Sequence, residues 1–78
     1  MVKVVLLSNT KNSYTACYKC LPENKEENSF IIELDFANKE LVSHSVEKNS
    51  YMIHAISKLY ELYNSENIIP IEALSKWY

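Results

Sequence analysis

The chain contains no glycine, and that absence constrains it more than any residue it has. Glycine takes positive φ without steric cost, and the loops that cradle phosphates are built on it. A P-loop and a dinucleotide-binding fingerprint are both excluded. Arginine is missing as well, so all eight basic residues are lysines. A lysine is a flexible point charge without the planar fork that grips phosphate or guanine through two hydrogen bonds.

The 78 residues, 47% of them hydrophobic with a net charge of −2, suit one globular domain spanning 1–78 and not a disordered chain. A domain this small buries only roughly 60–65% of the surface its unfolded chain exposes, which leaves no room for a deep substrate cavity. No run reaches the ~20 apolar residues that span a bilayer. The short apolar start, Met1 to Leu7, lacks the small-residue cleavage site of a secretory signal. Two closely spaced cysteines do not make a secreted disulfide framework. The expectation is a cytoplasmic protein without a membrane association.

Periodicity supplies the layout. Val2 to Ser8 reads as a buried strand, and Ser8 to Ser13 as a polar turn. Tyr14 to Leu21 alternates, with Tyr14, Ala16, Tyr18 and Cys20 on one face and Thr15, Cys17 and Lys19 on the other. Phe30, Ile32, Leu34 and Phe36 share a dry face, and Ile31, Glu33 and Asp35 point the other way. The turn Ala37-Asn38-Lys39 assigns the left-handed conformation to Asn38. Glu40 to Val46 returns as an imperfect edge strand. From Asn49 the period lengthens, and Met52, Ala55, Ile56, Leu59, Leu62 and Tyr63 form the stripe of an amphipathic helix capped by Asn49 or Ser50. Ile53 and Tyr60 widen that stripe beyond what one sheet face requires. Pro70 suits the first turn of a second, short helix carrying Ile71, Leu74 and Trp77 or Tyr78 on one side. The predicted fold is α+β: an antiparallel meander of three to four strands with one long and one short C-terminal helix packed on one face.

Charge is uneven along this order. Residues 1–20 sum to +3, 21–49 to −4 and 50–78 to −1. A partner approaching the acidic middle is expected to be basic protein and not nucleic acid.

Cys17-Tyr18-Lys19-Cys20 is the one motif-like stretch. A C-x-x-C acts in thiol exchange when its first cysteine opens a helix, but the residues after Cys20 form no amphipathic helix. On a strand the two thiols would face opposite ways. Zinc would need two more ligands, and His44 and His54 match no common spacing. Glu33 and Asp35 alternate with core residues as solvated strand positions do. No cofactor and no catalytic constellation is expected.

Aromatics are the surplus. Six tyrosines, two phenylalanines and one tryptophan exceed what so small a core absorbs, and tyrosine and tryptophan anchor protein interfaces. Tyr14, Tyr18, Tyr51, Tyr60, Trp77 and Tyr78 are the interface candidates. Base stacking by such rings wants a basic groove, which this acidic chain lacks. The sequence is read as a small non-enzymatic protein that binds another protein and self-associates as a homodimer, with a size that suits an accessory or inhibitory protein of a mobile element. The alternative is a thiol-redox or zinc protein using Cys17 and Cys20.

Overall fold

Alternation between buried and open side chains organises the first layer of the protein. The computed structural model describes residues 1–9 and 13–77. In β2 (Thr15–Pro22), Ala16, Tyr18, Cys20 and Pro22 point inward. In β3 (Phe30–Asp35), Phe30, Ile32 and Leu34 do the same. β1 (Val2–Asn9) contributes Val2 and Val4, and β4 (Glu40–His44) contributes a half-buried Leu41. These four strands make the expected antiparallel meander, with β4 at its edge. The middle of the polar turn expected between β1 and β2, at 10–12, lies outside the described residues. Tyr14 falls just outside β2 and, at 55% exposure, sits at the open rim of the inward face that alternation assigns to it.

Helix α1 (Ser50–Glu66) covers the inner face, burying Met52, Ala55 and Leu59. Its ends follow from local chemistry. The Asn49 side chain accepts a 3.0 Å hydrogen bond from the Met52 amide, which satisfies one of the unpaired donors of the first turn. At the other end Asn67 turns left-handed at φ 58°, and its N–H bonds the Tyr63 carbonyl at 2.7 Å. Among the described residues, no helix is long and apolar enough to cross a membrane.

The second helix is not formed. The chain after Pro70 becomes β5 (Glu72–Ser75), which pairs antiparallel with β1 and completes a five-stranded sheet in the order β4-β3-β2-β1-β5. The spacing of Ile71, Leu74 and Trp77 imitates a helix, but β1 has a free edge whose amides and carbonyls need partners. Pairing satisfies them: Val2 faces Ser75 and Val5 faces Glu72, while the Leu6 amide bonds the Ile71 carbonyl at 2.8 Å. The apolar face inverts as a result, with Ala73 buried and Ile71 and Leu74 open.

A second correction concerns the β3–β4 turn. Asp35 Oδ1 accepts from the Ala37 and Asn38 amides and Oδ2 from the Asn38 side chain. Asn38 is thereby held by the carboxylate, and the left-handed residue is the next one, Lys39, at φ 56°. This follows the hairpin pattern in which a turn ends on an αL residue.

Candidate interaction surfaces

The aromatic candidates divide by what they touch. Tyr18 is corrected from an interface residue to a core residue: it is fully buried, and its hydroxyl donates to the Pro70 carbonyl at 2.8 Å. Burial pushes its pKa well above the usual phenol range. Phe36 is the hub of a ring cluster, with centroids 6.3 Å from Tyr18, 5.4 Å from Tyr60 and 5.0 Å from Tyr63. Tyr14 closes that cluster edge-on against Tyr63. The half-buried Tyr60 has a hydroxyl with no hydrogen-bond partner among the described residues. Burial, and then the carboxylates of Asp35 and Glu40, raise its pKa.

A separate aromatic group docks the C-terminal segment. Trp77 stacks flat on His54 with centroids 3.8 Å apart, and Tyr51 meets its edge at 5.6 Å. The Tyr51 hydroxyl donates to Glu23 Oε2 at 3.1 Å, and the amino terminus binds the same oxygen at 2.9 Å. Those two hydrogen bonds hold the Glu23 carboxyl below its ordinary range. Tyr51 and Trp77 are thus engaged within the chain. Tyr78 lies outside the described residues.

The two thiols are free. Three residues of extended strand separate them by roughly 10 Å, beyond the ~7 Å limit for bridging Cα atoms. Cys20 points into the core, where burial pushes its thiol up to about 12; Cys17 sits on the opposite face. Among the described residues, no three His, Cys, Asp or Glu side chains converge to hold a metal.

Among the described residues, two surfaces that the motifs do not single out are open to solvent. The first arises because α1 lies over β5, β1 and β2 and leaves the flank above β4 open. There Leu41, Met52, Ile53 and Ile56 line an apolar groove of about 310 Å³, with Lys48 and Ser57 on its rim. Ile53 is 62% exposed. The widened helix stripe is its signal in the sequence.

The second is the outer face of the sheet. The register fixes its members. Leu74, Lys3 and Leu21 lie in one row across β5, β1 and β2. Glu72, Val5, Lys19 and Ile31 lie in the next row, across β5 to β3. Diagonal neighbours in adjacent rows are within reach of each other, so Leu74, Val5, Leu21 and Ile31 form one zigzag of aliphatic side chains. Lys3 and Lys19 stand in the same rows, both half-buried, and Lys19 pairs with Glu26. Cys17 and Glu33 follow in the third row. Ile31 is the lone sequence signal, an isoleucine on a face that otherwise reads as wet.

No known protein family, characterised protein or solved structure matches this chain. Its surfaces carry the functional argument.

Proposed function

We propose that the chain is a non-enzymatic protein that acts by binding another protein, and that it also self-associates. The supporting observation is the groove between α1 and β4. Its walls are aliphatic, it opens to solvent, and its course along a helix suits the helix-in-groove mode of recognition. An exposed apolar groove of this kind costs free energy in water unless something covers it.

The occupant that fits is an amphipathic helix with a basic polar side. One turn of α1 beyond Ile56 stands Tyr60, on which the carboxylates of Asp35 and Glu40 act. The groove therefore ends near the acidic turn between β3 and β4. Of the segment 21–49, whose net charge is −4, Asp35 and Glu40 lie toward this end of the groove, opposite the Lys48 rim. Lysines on the partner would complement these carboxylates, and an acidic partner would be repelled.

The probe is a synthetic amphipathic helical peptide of about 15 residues, made once with lysines and once with glutamates on its polar side. The lysine peptide is expected to bind and to shift the amide resonances of Leu41, Ile53 and Ile56. The glutamate peptide should bind at least about tenfold more weakly, and Ile53→Asp should lose both. Equal affinity for the two peptides, or binding indifferent to Ile53→Asp, would overturn the reading.

A further inference from the structure

We infer that the free edge of β5 is where a second copy of this chain joins, strand to antiparallel strand, so that two five-stranded sheets become one. The inference rests on the self-association included in the proposed function and names the edge and residues responsible.

The hydrogen-bonding phase of β5 decides which of its residues are open. β5 closes one end of the sheet order, and among the described residues nothing pairs with its outer side. The Leu6 amide bonds the Ile71 carbonyl, which makes Leu6 and Ile71 a hydrogen-bonded pair of the antiparallel ladder. Such pairs recur at every second residue, so Val4 with Ala73 and Val2 with Ser75 are the next two. The amides and carbonyls of Glu72, Leu74 and, one residue past the strand, Lys76 therefore aim away from β1. The two ends of the sheet differ in this respect. At β4 the register with β3 skips Val42, a bulge that interrupts the edge, whereas β5 keeps its register with β1 without a shift.

One register of self-pairing suits the side chains. A two-fold axis between Leu74 and Leu74 of the second copy sets Glu72 opposite Lys76 of the second copy, and Lys76 opposite its Glu72. All three side chains are exposed and line one shallow depression with Lys3 on the outer side of the sheet. Opposite charges directly across a ladder attract. Neither Glu72 nor Lys76 has an ion-pair partner of its own among the described residues. Other registers that keep the hydrogen-bonding phase set a charge against Leu74, or set Glu72 or Lys76 against its own copy. On the inner side the facing residues are Ala73 and Ser75, whose small side chains take little room beneath the two copies of α1. One step further out, the same register turns Ile71 toward Trp77 of the second copy. Ile71 is 73% exposed, the most open large hydrophobic among the described residues, and Trp77 is half-buried on His54.

The joined sheet runs from one β4 to the other, and the groove beside each β4 stays open at the far ends. Partner binding and dimerisation then use separate surfaces, and the dimer presents two grooves at once.

Sedimentation of charge-reversed variants tests this. The full chain is expected to sediment as a concentration-dependent dimer. Glu72→Lys and Lys76→Glu each set like charges across the axis and should raise the dimer dissociation constant at least about fivefold. Mixing the two variants restores opposite charges at both positions, so the mixture should dimerise as tightly as the parent chain. Leu74→Pro removes an amide that the monomer leaves unpaired and the dimer uses, and should weaken the dimer at least about tenfold. Circular dichroism verifies folding, and the charge variants, which alter exposed side chains alone, carry the test should the proline variant not fold. Ile53→Asp should leave the dimer intact. A monomer at every concentration overturns both the inference and the self-association on which it rests. A dimer indifferent to the charge reversals or to a folded Leu74→Pro, or a mixture no tighter than the single variants, overturns the edge and leaves self-association standing. So does a dimer that Ile53→Asp dissolves, which would move the contact to the groove.

Discussion

Replacing Tyr18 with phenylalanine isolates one buried hydrogen bond that ties the chain after α1 to the middle of the sheet. The ring keeps its place against Phe36, so packing is conserved and only the hydroxyl is lost. What remains is a Pro70 carbonyl, buried beside the ring, without its donor. An unmade hydrogen bond of this kind costs about 1–2 kcal/mol. For a domain of this size each kcal/mol moves the melting temperature by about 4–8 °C, so Tyr18→Phe should melt roughly 4–16 °C lower near pH 8. The pH dependence gives a sharper test. Burial raises the Tyr18 pKa above the ordinary phenol value of 10.0, so the folded state retains a proton that the unfolded state gives up. That contribution is complete below pH 10 and declines above it by about 1.4 kcal/mol per pH unit. The phenylalanine variant has no such proton. The stability gap between the two proteins should therefore close with rising pH and vanish near pH 11, when Tm is followed by circular dichroism. Cys20 titrates alike in both and drops out of the difference. An unchanged Tm at pH 8, or a gap that stays constant up to pH 11, would refute the reasoning.

Two further predictions concern single residues. The lowered pKa values of Glu23 and Asp35 mean that both carboxylates favour folding when ionised. Their contribution is present above the unfolded values of 4.5 and 3.8 and is lost as pH falls through the lower folded values. Thermal melts should therefore weaken progressively below about pH 4.5, and a flat profile down to pH 2.5 would exclude the role. Lys39→Gly should raise Tm by about 3–6 °C, because a left-handed lysine carries a steric penalty that glycine lacks. No gain would place the cost of that turn elsewhere.

Much of the fold is legible in the sequence because it depends on local periodicity. The inward set of β3 and the stripe of α1 are one-dimensional patterns, and Asn49 caps the helix for reasons visible within four residues. β5 is not legible because its alternative is also locally consistent: Pro70 with apolar residues at 71, 74 and 77 satisfies a helix. The competing term is the unpaired edge of β1, at the other end of the chain. Tyr18 shows a different limit. Alternation places it with Ala16 and Cys20, while the count of aromatics argues for an interface. The carbonyl that accepts its hydroxyl lies beyond the reach of either argument. The groove and the outer face are only hinted at, by Ile53 and Ile31, since a single misplaced isoleucine does not reveal which neighbours the register will bring beside it.

β1 is flanked on one side by a strand that directly follows it and on the other by β5, the last strand in chain order. While a ribosome is still making the chain, the hairpin, the third strand and the helix can all assemble around β1, yet one side of it has nothing to pair with. For that interval Val2 to Val5 present bare amides and carbonyls of the kind that recruit strands from other nascent chains. Truncation before Glu72 would make that transient state permanent, and clumping of the shortened product would follow from a sheet left one strand short.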